Sequence, residues 1–111
     1  MTRVLFVCGK NQWRSPTAEQ VFSSEPGLEC ASAGVSNDAE IAVSGELVDW
    51  ADLIFVMERQ HKEKLARRFG ENLKGKRLVC LGIPDNYRFM DPKLIELLRR
   101  KFGHICRASR G

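Results

Sequence analysis

The chain has 111 residues, 43% hydrophobic and 29% charged, with a formal net charge of +4. That length allows one domain with a core of its own, and the composition excludes disordered, collagen-like and disulfide-dependent classes. No apolar run approaches the roughly 20 residues of a membrane span, and one Arg ahead of an apolar run does not make a secretory leader.

A single domain over residues 1–111 is therefore expected, cytoplasmic and without a membrane partner. Cys8, Cys30, Cys80 and Cys106 form no Cys-x-x-Cys pair and have no His-rich spacing beside them, so no metal is expected. Thiols in or beside apolar runs suit a reducing compartment. Cys30 and Cys80 read as small buried hydrophobes. Residues 1–50 hold three basic and seven acidic side chains, a balance of −4, whereas residues 51–111 hold fifteen and seven, a balance of +8. The basic excess reads as solvated helix faces and a basic tail. Without aromatic interleaving or a nucleic-acid motif, a nucleic-acid partner is not expected.

The first apolar run, Val4 to Val7, predicts a strand over residues 3–7 that ends at Cys8. It is continuous and not alternating, the pattern of a parallel strand covered on both faces. Arg14 follows five residues after Cys8. Ser15 is expected to cap a helix with Pro16 in its first turn, and Ala18, Val21 and Phe22 form one face of that helix. Pro26-Gly27 ends it. A second strand is expected over 28–32 and a loop over 34–43. Ser44 then caps a second helix with Leu47, Val48 and Trp50 turned inward.

The third strand spans 53–57. The helix after it spaces His61, Leu65 and Phe69 by four and stops at Gly70. The fourth strand spans 77–81. The last helix opens at Asp91-Pro92, sets Leu94, Ile95, Leu98 and Phe102 on one stripe, and stops at Gly103, with a frayed tail after it. This alternation predicts an α/β three-layer sandwich, a four-stranded parallel sheet in the order 2-1-3-4 with helices on both faces. In that order the strand order reverses beside strand one, so ligands belong at its C-terminal end, where Cys8 lies.

A thiol there faces a short loop leading into a helix N-terminus. Gly9, Lys10, Asn11, Gln12, Trp13, Arg14 and Ser15 make a cradle of amide donors for a phosphate- or sulfate-like oxyanion. The helix N-terminus, the amides and Arg14 all favour the thiolate, the nucleophilic form. Arg14 can grip two phosphate oxygens at once, which Lys cannot. Ser15 can donate to the sulfur as well as cap the helix, and Asn11 tolerates left-handed backbone angles. Chemistry of this kind needs no cofactor.

These residues resemble the low-molecular-weight protein tyrosine phosphatases. The likeness rests on Val4-Leu5-Phe6-Val7-Cys8, Asn11, Arg14-Ser15-Pro16, Ala18-Glu19 and Val21-Phe22. It continues at Ser32-Ala33-Gly34, at Ala51-Asp52 through Met57, and at Ile83-Pro84-Asp85 with Tyr87. The chain is shorter than usual members between Gly34 and Val48 and resembles a compact branch. The resemblance implies that Cys8 is the nucleophile of a phosphocysteine intermediate and Arg14 the phosphate-binding cation. It also implies that Asp85 is the general acid and then base, and that Tyr87 is a rim aromatic of the substrate cleft. A phosphorylated substrate is expected, protein phosphotyrosine among the candidates.

Asp91 competes for the acid role, but it directly precedes a strong amphipathic helix and reads better as its cap. Trp13 stands where the family has a second cysteine, Lys10 where it has glycine before Asn11, and Asn86 where proline follows the acid. These departures motivate a second reading, a regulatory oxyanion-binding module with little turnover. Trp13 can also simply roof the loop by packing. A thiol-coupled arsenate reductase is a third, weaker reading, since no second cysteine closely follows Cys80.

Overall fold

A computed structural model describes residues 1–110, with side chains through residue 103. Four strands and four helices alternate along the chain. They are β1 (Thr2–Cys8), α1 (Arg14–Phe22), β2 (Leu28–Gly34), α2 (Gly45–Trp50), β3 (Leu53–Val56), α3 (Arg59–Leu73), β4 (Arg77–Cys80) and α4 (Pro92–Arg110). The strands are all parallel and ordered β2-β1-β3-β4, as expected from the sequence.

β1 is buried on both faces because its apolar residues divide between two cores. Val4, Phe6 and Cys8 join Phe22, Phe55, Leu94, Leu98 and Phe102 on the α1/α4 side. Leu5 and Val7 join Ile54, Val56, Val48 and Leu65 on the α2/α3 side. The first core is built around rings: Phe6 stacks on Phe22 and Phe55 at centroid distances of 5.7 and 5.6 Å, and Phe22 on Phe102 at 4.2 Å. Truncating such a ring to Ala costs about 3–5 kcal/mol through lost transfer energy and the cavity left behind.

Several local expectations need correction. Ser15 does not cap α1: the cap position is Trp13, which makes no side-chain cap bond, and Ser15 lies fully buried inside the first turn. α3 does not stop at Gly70. It kinks at Phe69 (φ −129°, ψ 29°) and resumes to Leu73, because Phe69 and Leu73 both pack on the second core. α4 runs through Gly103 to Arg110; one glycine costs a helix only about 1 kcal/mol. Cys80 is exposed and not buried, because β4 is an edge strand. Cys30 is half-buried. Ser44 caps α2 as expected, its hydroxyl accepting from the Leu47 amide at 3.2 Å.

All four strands deliver their C-terminal ends to one rim. Cys8 pairs in register with Gly34, Val7 with Val56, and Val56 with Cys80. The ladder continues past the strands through Met57 N to Val7 O and Ile83 N to Met57 O. That extension carries Glu58 and Asp85 to the same rim as Cys8.

Candidate active site

The loop after β1 is shaped from outside by the chain after β2. The carbonyls of Cys8, Gly9 and Lys10 accept from the amides of Val35, Ser36 and Glu40 at 3.0, 2.9 and 3.0 Å. In a planar trans peptide the N–H opposes the C=O. The amides of Gly9, Lys10 and Asn11 are therefore turned away from that outer segment, toward the cleft. Segment 35–40 is thus the mould of the amide nest. Gly34 lets the two segments close: a Cβ there would lie 2.5 Å from Gly9 O and 2.9 Å from Asn11 N.

Asn11 takes the left-handed conformation (φ 57°), as its residue type permits. Lys10 is not among the residues with positive φ, so a side chain is accommodated at that position without this strain. Its ammonium pairs with Asp38 at 3.5 Å.

Beneath the nest lies a directional hydrogen-bond chain. An ionised carboxylate only accepts, so the 2.5 Å contact between Ser32 Oγ and Glu19 Oε1 makes Ser32 the donor. Ser32 Oγ is then open to accept from Asn11 Nδ2 at 2.9 Å, and Asn11 Nδ2 also donates to Ser15 Oγ at 3.0 Å. The Ser15 proton is left to point at Cys8 Sγ, 2.9 Å away, or at the more distant Ala33 carbonyl at 3.4 Å. The shorter route gives the sulfur a donor.

Arg14 is 5% exposed, and its charge is met on several sides. Its Nη1 donates to Glu58 Oε1 at 2.6 Å and to the Ile83 carbonyl at 2.7 Å, which fixes the plane of the guanidinium. Its Nε lies 3.6 Å from Asp85 Oδ1. Burial works against the Glu58 charge, but hydrogen bonds from Arg14 and Gln60 outweigh it and hold the carboxyl below the usual range. The His61 imidazole, deeply buried beside Arg14, is pushed down to about 4 by burial first and by the guanidinium second. It is neutral and accepts the Glu58 amide at Nδ1 at 3.1 Å. Burial, with the nearby Glu19 charge, raises the Cys30 thiol to about 11, so Cys30 is an inert thiol at neutral pH.

Cys8, Gly9, Lys10, Gln12, Trp13, Arg14 and Asp85 line one cleft of about 310 Å³. The structure therefore brings together most of the residues expected from the sequence. Asp85 stands over the cleft with its side chain 59% exposed. Asp91 does not face it: its Oδ1 accepts the Lys93 amide at 2.9 Å in the first turn of α4. Tyr87 does not line the cleft and is half-buried against the α1/α4 core. Trp13 takes the aromatic place on the rim. No role was read from the sequence for Glu58, Glu19 or the Ile83 carbonyl. The available signal for Glu58 was its place immediately after Met57, where the third strand ends.

No protein-family model matches the chain. It is 31% identical over 93 residues to a protein-arginine-phosphatase of Geobacillus stearothermophilus, covering 62% of this chain and spanning 63% of the relative's length. Among solved structures it is similar to the tyrosine phosphatase Wzb from Escherichia coli K30 in complex with phosphate. There the TM-score is 0.76, with 24% identity over 96% of each chain. It is also similar to the YwlE arginine phosphatase from Geobacillus stearothermophilus, with a TM-score of 0.64 and 26% identity over 94% of this chain and 85% of the other. A further neighbour is a low-molecular-weight protein tyrosine phosphatase from Streptococcus pyogenes, at a TM-score of 0.76 and 18% identity over 94% and 90% of the two chains. The resemblance read from the loop motif extends to the whole fold.

Proposed function

We propose that this chain, which has the fold of the low-molecular-weight protein tyrosine phosphatases, is a cysteine-dependent phosphomonoester hydrolase. One observation carries the reading. The Cys8 thiol lies in a loop whose amides are turned inward, beside a fixed guanidinium and under a carboxyl group.

The phosphate sits in the amide nest with two oxygens on Arg14. Cys8 Sγ attacks phosphorus in line with the ester oxygen. The S–P bond forms as the P–O bond breaks, and the Asp85 proton passes to the departing alcohol oxygen. Asp85 is then a carboxylate and takes a proton from water as the water oxygen attacks phosphorus. The S–P bond breaks, phosphate leaves and the thiolate returns. Ser15 steadies the thiolate at both ends of the cycle.

The free thiols suit a cytoplasmic setting, and an aryl phosphate such as phosphotyrosine is the proposed substrate class. Similarity to the arginine phosphatase of Geobacillus stearothermophilus, in sequence and in solved structure, favours a second substrate, phosphoarginine, whose leaving nitrogen the same acid would protonate as the P–N bond breaks. Hydrolysis of para-nitrophenyl phosphate, phosphotyrosine and phosphoarginine by the wild-type protein and Cys8→Ser tests the proposal. Turnover of at least one substrate by the wild type and none by the variant is expected; undiminished turnover by Cys8→Ser refutes it.

A further inference from the structure

A second, wider depression of about 710 Å³ adjoins the Cys8 cleft and shares Gln12 and Trp13 with it as a common wall. Of the four large apolar side chains that stand exposed among the described residues, three line this groove: Trp13 (42% exposed), Ile41 (52%) and Phe89 (51%). Exposed apolar side chains scattered singly need no explanation, but three converging on one depression mark a binding surface. Glu19 and Glu40 also line the groove, which makes its charged side chains acidic.

The groove is built and braced. Its aromatic walls come from the loop before α1 and from the segment between β4 and α4, 76 positions apart in the chain. One hydroxyl joins those segments: Thr17 Oγ1 donates to the Trp13 carbonyl at 2.6 Å and accepts the Met90 amide at 2.8 Å. Met90 holds a left-handed backbone (φ 61°). For a residue that is neither Gly nor Asn this is strained, and such strain persists only where the surroundings enforce it. The strained turn sets Phe89 beside the groove.

We infer that this groove seats the polypeptide segment flanking the phosphorylated residue, with an apolar side chain among Trp13, Ile41 and Phe89 and a basic one at Glu40. Continuity with the cleft supports a substrate occupant, since the two depressions share Gln12 and Trp13 as a wall and a chain leaving Cys8 past Trp13 enters the groove. Charge supports a basic flank, because Glu19 and Glu40 line the groove and no Lys or Arg does among the described residues. The assignment rests on the phosphatase reading only in taking the Cys8 cleft as the phosphate's seat.

Binding to the Cys8→Ser protein tests it without turnover. Two fluorescent phosphotyrosine peptides are used, one flanked on both sides by Leu and Lys and one by Gly and Asp, together with inorganic phosphate and the unphosphorylated peptides. The Leu/Lys peptide should bind about tenfold more tightly. In Ile41→Ser/Phe89→Ser the difference should shrink to about twofold while phosphate affinity stays as before. Glu40→Lys, an exposed change that guards against misfolding of the double variant, should remove the advantage of the Lys flank.

Equal binding of the two peptides, or a preference that survives the double variant, overturns the assignment. So does a dimer that dissociates in the double variant, which would give the face to a second copy of the chain. If phosphate itself does not bind, the phosphatase reading fails, and flank preference among the unphosphorylated peptides still decides the groove.

Discussion

Two aspartates six positions apart illustrate how a local environment assigns a role. Asp85 lies on the rim within 3.6 Å of Arg14 Nε, whereas the Asp91 side chain is engaged by the Lys93 amide at 2.9 Å. A general acid must reach the leaving oxygen, and only Asp85 lines the cleft. Asp85→Asn is expected to lower kcat about 100-fold on a poor leaving group and less on para-nitrophenol, which departs unaided. Asp91→Asn is expected to retain kcat with little change in stability, because an Asn side-chain oxygen can accept the Lys93 amide as Asp does and Asn caps a helix about as well. Steady-state kinetics on two leaving groups check this, and equal losses in both variants would contradict it. The sequence already favoured Asp85, because it closely follows the fourth parallel strand, on the ligand rim, whereas Asp91 reads as the cap of the last helix. It could not show Glu58 holding Arg14, since 44 positions separate them and only the adjacency of β1 and β3 unites them.

Among the elements, those legible in the sequence were the ones whose apolar pattern agreed with local chemistry. β1 and β3 have continuous β-branched and aromatic runs, and α2 has its Ser44 cap. Where tertiary contacts outvoted local signals, the reading missed. Gly70 and Gly103 lie inside helices held by packing, and Ser15 faces the sulfur in place of capping α1. Segment 35–40 read only as a loop, because its role is carried by backbone amides that any residue supplies.

The close approach of that segment yields an element-scale prediction. Gly34→Ala must displace Gly9 O or Asn11 N, both backbone atoms within 3.0 Å of the added Cβ. The protein should fold, but kcat/KM for aryl phosphate should fall by about 100-fold, the cost of a misplacement of about 1 Å in catalytic geometry. The stabilisation expected of phosphate in thermal melts of the wild type should be smaller in the variant. Wild-type values for both would show that the mould is not needed.

For the molecule as a whole, the order of the sheet was legible because alternating buried strands and amphipathic helices leave few right-handed arrangements. The groove was not: Trp13, Ile41 and Phe89 are scattered through the chain and become neighbours only on folding.

The buried site also sets how stability responds to pH. His61 titrates near 4 in the folded protein and near its ordinary 6.5 when unfolded, so between those values the unfolded chain binds more protons. Stability therefore falls as pH drops from about 6.5 toward 4, with a slope approaching about 1.4 kcal/mol per pH unit for one proton. Glu58, with its carboxyl held low, contributes stability above its unfolded value of 4.5 and loses it only below that, so the range from 6.5 to 4.5 separates the histidine effect. Urea unfolding of the wild type and His61→Gln over pH 5–7 should show a clear slope in the first and a flatter one in the second. Parallel slopes would remove His61 from the account.

The most direct measurement is acid quenching of the wild-type protein during turnover of a fast aryl phosphate, followed by phosphorus NMR and mass mapping. The mechanism predicts a phosphorylated peptide that contains Cys8 with the phosphate on its sulfur, absent when Cys8→Ala replaces the wild type. Turnover with no label on Cys8 under conditions where release is slowed by Asp85→Ala would contradict it.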